Sequence, residues 1–142
     1  MRKFIKIWAA PALCGLLILV LFRYVLFIGY VPSESMEPTI SSGSYIIGHR
    51  IIGEIQRGDI LVFRHDGLIM VKRVAAVAGD LVFICESGNV FVNAEPPVPI
   101  KVHEVPENSF FMLGDNADSS VDSGDWNEPF IRRGQIIAKL WQ

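Results

Sequence analysis

Hydrophobic positions fall into two regimes along this chain. From Ile7 to Phe22, IWAAPALCGLLILVLF, no charge interrupts the run; beyond residue 29 apolar residues come in short runs bounded by Gly, Asp, Asn and Pro. With Ile5 and Lys6 added, whose long stem can snorkel, the first regime reaches about 18 residues, or ~27 Å of helix, close to the hydrocarbon thickness of a bilayer. It predicts a transmembrane anchor helix over 7–23 with Arg23 at the far interface, leaving residues 1–6 on one side and a domain over 24–142 on the other. The second regime lacks a sustained helical period and predicts strands at YIIG, DILVFRH, LIMVKRVAAV, LVFIC, VFVN, SFFMLG and QIIAKLW. Residues 93–109, punctuated by prolines, read as a surface loop. The expected fold class is mainly β: a partly closed antiparallel β-barrel-like domain with one N-terminal transmembrane helix.

One hairpin follows residue by residue. Asp66-Gly67 between two apolar runs is the signature of a two-residue turn. It pairs His65 with Leu68, Phe63 with Met70 and Leu61 with Lys72. Alternation then puts Lys72 on one face with Leu68, Met70, Val74, Leu61 and Phe63, and Arg64 and Arg73 on the other. An ammonium among apolar neighbours tends to give up its proton, because burial penalises the charged form. A neutral amine is a competent general base. The competing reading at this stage is a lysine that snorkels to the sheet edge and stays charged.

Charge orients the chain and narrows its partners. Arg2, Lys3 and Lys6 precede the apolar run, and after Arg23 the next basic residue is Arg50. The positive-inside rule therefore predicts a cytoplasmic N-terminus and an extracytoplasmic domain on the plasma membrane. Nine basic against fifteen acidic residues from Glu34 onward leave that domain at −6, which argues against nucleic acid as a partner. The run ends in FIGYVP rather than in the small residues of a cleavage site, so it reads as a retained anchor. Cys14 lies in the membrane run and Cys85 in a strand, so the two are not expected to pair. No His/Cys/Asp cluster has metal-ligand spacing, and no cofactor is expected.

PSESMEPTI, residues 32–40, follows the anchor and packs two serines and a threonine between two prolines. A serine hydroxyl needs a neighbouring base to become nucleophilic, and a stiff segment suits a hydroxyl held within reach of one. PSESMEPTI resembles the nucleophile box of the type I signal peptidase (leader peptidase) family. RGDILVF, VKRVAAVAGD and FFMLGDNADSSVDS resemble that family's later boxes, in order, and the likeness runs on to the trailing WNEPF. The resemblance implies a membrane-bound Ser/Lys-dyad endopeptidase that removes signal peptides from exported preproteins beside the lipid bilayer. Ser35 is similar to the nucleophile and Lys72 to the base; Ser33, with the Ser35 N–H, is similar to the oxyanion hole. Ser120 matches a hydroxyl that orients the lysine, and Asp115 and Asp122 match carboxylates that shape the site. Val31, Pro32, Met36, Met70 and Val71 are expected to wall a groove for small substrate residues, with backbone edges near Gly29–Pro32 and Leu68–Lys72.

The likeness departs in the last box. The family's Gly-Asp-Asn-Arg and Asp-Ser-Arg arginines are Ala117 and Gly124 here. The second resembles a salt-bridge partner of the aspartate matched by Asp122, leaving Arg132, Arg133 or Arg73 as substitutes. Three other readings use the same residues. A Ser-His-Asp hydrolase would draw on His49, His65 or His103. A self-cleaving repressor would carry a DNA-binding domain instead of the apolar run. A membrane-anchored binding or scaffolding module would be a degenerate peptidase without activity.

Overall fold

The computed structural model describes residues 2–96, 98–99 and 101–141, with side chains from Trp8 onward. Helix α1 spans Arg2–Val20 and continues into a π-helical turn, Leu21–Val25. Within this stretch Trp8–Val25 is long and apolar enough to cross a membrane, with a mean hydropathy of 1.9 and none of it buried against the protein. Strand β1 (Leu26–Val31) starts at the next residue. Nine further strands follow: β2 (Ser44–His49), β3 (Ile60–His65), β4 (Leu68–Val77), β5 (Leu81–Ile84), β6 (Val90–Val92), β7 (Lys101–Glu104), β8 (Ser109–Leu113), β9 (Phe130–Arg132) and β10 (Ile136–Leu140).

The strands form a seven-stranded sheet in the order β1-β2-β10-β3-β4-β8-β9 and a three-stranded sheet in the order β6-β5-β7. All eight pairings are antiparallel. The large sheet bends at two bulges, between Ile136 and Ala138 and between Val74 and Ala76. Its edge strands β1 and β9 do not pair with each other, so the barrel is partly closed. Val31, Met36, Ile46, Val62 and Leu140 fill one part of the core, and Leu61, Phe63, Val74, Met112 and Ile131 another.

The β3–β4 register is the one the Asp66-Gly67 turn dictates: Leu61 faces Lys72, Phe63 faces Met70 and His65 faces Leu68. Asp66 and Gly67 both take positive φ, 47° and 79°, as a twist-matched two-residue turn requires. Three strands depart from the sequence reading. LFIGYV forms β1, although its apolar residues run on from the apolar helix and hide the boundary. KVHE forms β7 inside the proline-rich stretch read as a loop; the prolines flank it and leave its N–H groups free to pair with β5. Phe130–Arg132 adds the short β9 beside β8, where Pro129 precedes the strand and removes no ladder donor.

Candidate active site

Between β1 and the first half of β4 lies a groove of about 660 Å³, lined by both strands and by the turn that follows β1. Among the described residues β1 pairs only with β2, and β8 joins β4 only from Arg73 onward. Each wall therefore presents an unpaired backbone edge, Leu26–Val31 on one side and Leu68–Lys72 on the other. Ser33, Ser35, Val31, Pro32, Met70, Val71 and Lys72 all line this groove. Met36 does not: it is fully buried beneath the groove, against Val31, Ile40 and Ile46, because the tight turn at Ser35 sends the next side chain into the core.

Lys72 is 4 % exposed and Ser35 6 %. The Lys72 ammonium donates to Ser120 Oγ at 2.7 Å, and Ser120 Oγ donates onward to Asp122 Oδ2 at 2.8 Å. Burial pushes the Lys72 pKa below its ordinary value, against the pull of Asp122 first and then Asp115 and Asp125. Ser35 Oγ lies 3.3 Å from Ser33 Oγ, and no hydrogen bond joins it to Lys72 in this structure. The loop after β8 closes over the Ser35 turn. Asn116 donates from its N–H to Ser35 O at 3.1 Å and from Nδ2 to Glu34 O at 3.2 Å.

Asp115 sits on the far side of β4 from Lys72, clasped by Arg73 at 2.8 and 2.6 Å. The guanidinium lowers the Asp115 pKa, outweighing the opposing effect of burial. Arg73 also reaches Gly58 O at 2.8 Å and Thr39 Oγ1 at 3.3 Å, tying the β4 strand of the lysine to the turn of the serine. Arg73 is thus committed to Asp115 and does not replace the arginine absent at Gly124; Arg133 is committed as well, to Ile52 O and Gly53 O. Asp122, 8 % exposed, is instead satisfied by N–H donors from Gly114 (3.0 Å) and Gly124 (3.2 Å) in addition to Ser120. The residue that lost its side chain still supplies its backbone.

Sequence reasoning missed Asn116, Thr39 and the service of Arg73. The GDN and PT letters of the matched boxes held that signal, but their contacts span 34 to 82 residues and no local pattern reveals them. Gly114 was missed as well: a Cβ there would stand 2.2 Å from Ser120 Oγ and 2.6 Å from Ser35 O. The histidines lie apart from the groove lining. His49 bonds Ile51 O, His65 stacks on Trp126 with centroids 4.0 Å apart, and His103 meets the Phe130 ring edge-on. A Ser-His-Asp arrangement with Ser35 is therefore not formed.

Comparison with known proteins gives the same direction. The family model described as signal peptidase, peptidase S26, matches residues 3–101, a stretch that includes Ser35 and Lys72 but ends before Asp115. The chain is 33% identical to a probable signal peptidase I-2 of Synechocystis sp., over 79% of this chain and 60% of that protein. It is 29% identical to signal peptidase I S of Bacillus subtilis, over 86% of this chain and 79% of that protein. The chain spans 60% of the length of the Synechocystis relative and of a signal peptidase I from Pseudomonas fluorescens, to which it is 26% identical. A crystal structure of a signal peptidase I from Enterococcus faecalis aligns with a TM-score of 0.48 and 23% identity, over 63% of this chain and 99% of that one.

Proposed function

We propose, from the premise that this chain belongs to the signal peptidase family, peptidase S26, that it is a membrane-anchored serine endopeptidase that removes N-terminal signal peptides from exported preproteins. One observation carries this reading: a serine in a tight turn and a buried lysine open onto the same groove, and the groove has free strand edges on both sides. An extended substrate pairs with those edges, adding a strand between β1 and β4. Small residues near the scissile bond fit the space left between Val31, Met70 and Val71.

Lys72 is the general base. Ser120 accepts one of its N–H bonds and passes its own proton toward Asp122, which leaves the lone pair of the neutral amine for Ser35. In the empty groove the Ser35 and Ser33 hydroxyls hold one another. A substrate carbonyl takes over Ser33 as its donor, and Ser35 Oγ turns toward the amine; dyad hydrogen bonds commonly tighten only with substrate in place. Lys72 takes the Ser35 proton as the oxygen attacks. Ser33 Oγ and the Ser35 N–H then stabilise the oxyanion, each worth about 3–4 kcal/mol. The Lys72 ammonium returns the proton to the departing amine, and water, activated by the same base, releases the acyl-enzyme.

Residues 7–23, which overlap the apolar stretch Trp8–Val25, are the anchor, residues 1–6 the cytoplasmic end and residues 24–142 the extracytoplasmic peptidase domain, the orientation favoured by Arg2, Lys3 and Lys6. The test offers a secretory precursor to the purified chain in detergent. Cleavage at the signal junction that Ser35→Ala and Lys72→Ala each abolish, with the fold retained, is the expected result. Cleavage undiminished in either variant overturns the dyad. A folded parent chain that binds the precursor without cutting it points to the binding-module reading.

A further inference from the structure

A second cleft, of about 810 Å³, opens beside the substrate groove and shares Phe27 and Ile69 with it. Its volume lies within the ~300–1,000 Å³ usual for small-ligand sites. The cleft sits where the chain leaves the apolar helix. Phe27 is the second residue of β1, and the Arg50 N–H donates to the carbonyl of Val25, the last residue of the candidate span, at 2.7 Å. Arg50 Nε donates to Leu26 O at 3.1 Å, and its guanidinium carbon lies 5.2 Å from the centre of the Phe27 ring. The group is thereby fixed, while its two terminal nitrogens have no hydrogen-bond partner among the described residues. Arg64 on β3 lines the same cleft, exposed, with its guanidinium in neither a hydrogen bond nor an ion pair among the described residues. Asp66 is the one acidic residue in the lining and lies 3.5 Å from His65 Nε2. Ile69, exposed and paired across the ladder with Arg64, and Phe27, Ile136 and Ile137 give the same cleft an apolar lining.

We propose that this cleft binds the phosphate of an anionic phospholipid headgroup. The inference rests on the reading that Trp8–Val25 crosses the bilayer. Two residues of strand carry the chain ~7 Å beyond Val25, and the polar layer on each side of the hydrocarbon is about 5–8 Å deep, so Phe27 and Arg50 stand at headgroup level. Guanidinium is the side chain suited to phosphate, offering paired N–H donors with weak hydration. The rest of the domain is acidic and repelled by an anionic leaflet, so two unpaired arginines at its base mark the surface that faces such lipid. A free inorganic phosphate shares the chemistry, but the apolar border and the position beside the anchor favour a headgroup whose acyl chains run down along the helix.

The test titrates the full chain carrying Ser35→Ala, in neutral-detergent micelles, with dihexanoyl phosphatidylglycerol, dihexanoyl phosphatidylcholine and inorganic phosphate, read by phosphorus NMR line broadening. Phosphatidylglycerol is expected to bind at least about fivefold more tightly than either comparison ligand, and Arg64→Gln to weaken it about fivefold. Arg50→Gln is the second variant, read with a thermal melt because it also removes the bond to Leu26 O. Equal affinity for the two lipids, or an Arg64→Gln chain that binds as the parent does, overturns the inference. Inorganic phosphate binding as tightly as phosphatidylglycerol overturns the lipid source. A chain that does not insert into phosphatidylcholine nanodiscs overturns the anchored reading and this inference together. Lipid binding does not involve cleavage, so a parent chain that binds phosphatidylglycerol yet cuts no precursor overturns the peptidase reading alone.

Discussion

Replacing Gly114 with alanine tests whether the spacing between the Ser35 turn and the support of Lys72 sets the rate of the proposed reaction. An ideal Cβ at this position would lie 2.2 Å from Ser120 Oγ, 2.6 Å from Ser120 Cβ and 2.6 Å from Ser35 O. Ordinary carbon contacts begin near ~3.5 Å, so the methyl group must drive these neighbours apart by about 1 Å. In the proposed mechanism the two sides of that wedge are the two halves of the reaction: the Ser35 backbone carries the hydroxyl assigned to attack, and Ser120 holds Lys72. A displacement of ~1 Å lowers the rate by about 10²-fold, whereas the overpacking itself destabilises by about 1–3 kcal/mol. The kcat/KM for a precursor peptide in detergent, with a circular dichroism melt of the same sample, separates the two effects. Gly53→Ala is the control, because nothing lies within 4 Å of its Cβ position. A folded Gly114→Ala chain whose kcat/KM stays within about threefold of the parent refutes the reasoning.

Three further outcomes follow from the charges around the groove. Asp122 is the foremost carboxylate favouring the Lys72 ammonium, so Asp122→Asn should move the acidic limb of the kcat/KM profile to lower pH; a limb that stays or rises contradicts this. Between its unfolded value of 10.5 and its lowered folded value, Lys72 binds a proton in the unfolded chain that the folded chain lacks, so the parent loses stability as pH falls through that window. Lys72→Met should remove that slope and raise Tm at neutral pH by about 2–4 °C while abolishing cleavage; an unchanged or lower Tm across the pH series counts against a buried, strained amine. Arg73→Met leaves Asp115, 13% exposed, without its ion pair. It should lower urea stability by roughly 2–3 kcal/mol, less than a fully buried pair because Arg73 is about one-third exposed; a loss under ~0.5 kcal/mol would show the clasp to be dispensable.

What the sequence makes legible here is local. The Asp66-Gly67 turn fixes the β3–β4 register, and the register puts Lys72 on the apolar face without knowledge of any other strand. Periodicity separates the later strand runs from the apolar helix but not β1, because LFIGYV is apolar and would fit either element. The prolines around KVHE mask a strand that they only bracket. Met36 belongs to the nucleophile motif, yet the turn at Ser35 points it away from the groove. The contacts that assemble the site are long-range, from Asn116 to Glu34 and Ser35 and from Arg73 to Asp115 and Thr39, and depend on how a bulged sheet brings separate loops together. The absence of an arginine at position 124 leaves the sequence pointing to Arg132, Arg133 or Arg73 as the partner of Asp122; in the fold, three uncharged donors two to eight residues away supply what it needs.

Strand β1 begins at the residue after the apolar helix ends, with no hinge of glycine or serine between them. Six residues of strand then reach Val31 and the serine turn, a strand length of about 20 Å from the helix end. For the anchored peptidase proposed above, this would mount the cutting site on a rigid post: a tethered chain would be cut where it passes that height, and a suitable sequence held one helical turn too low would slip by untouched.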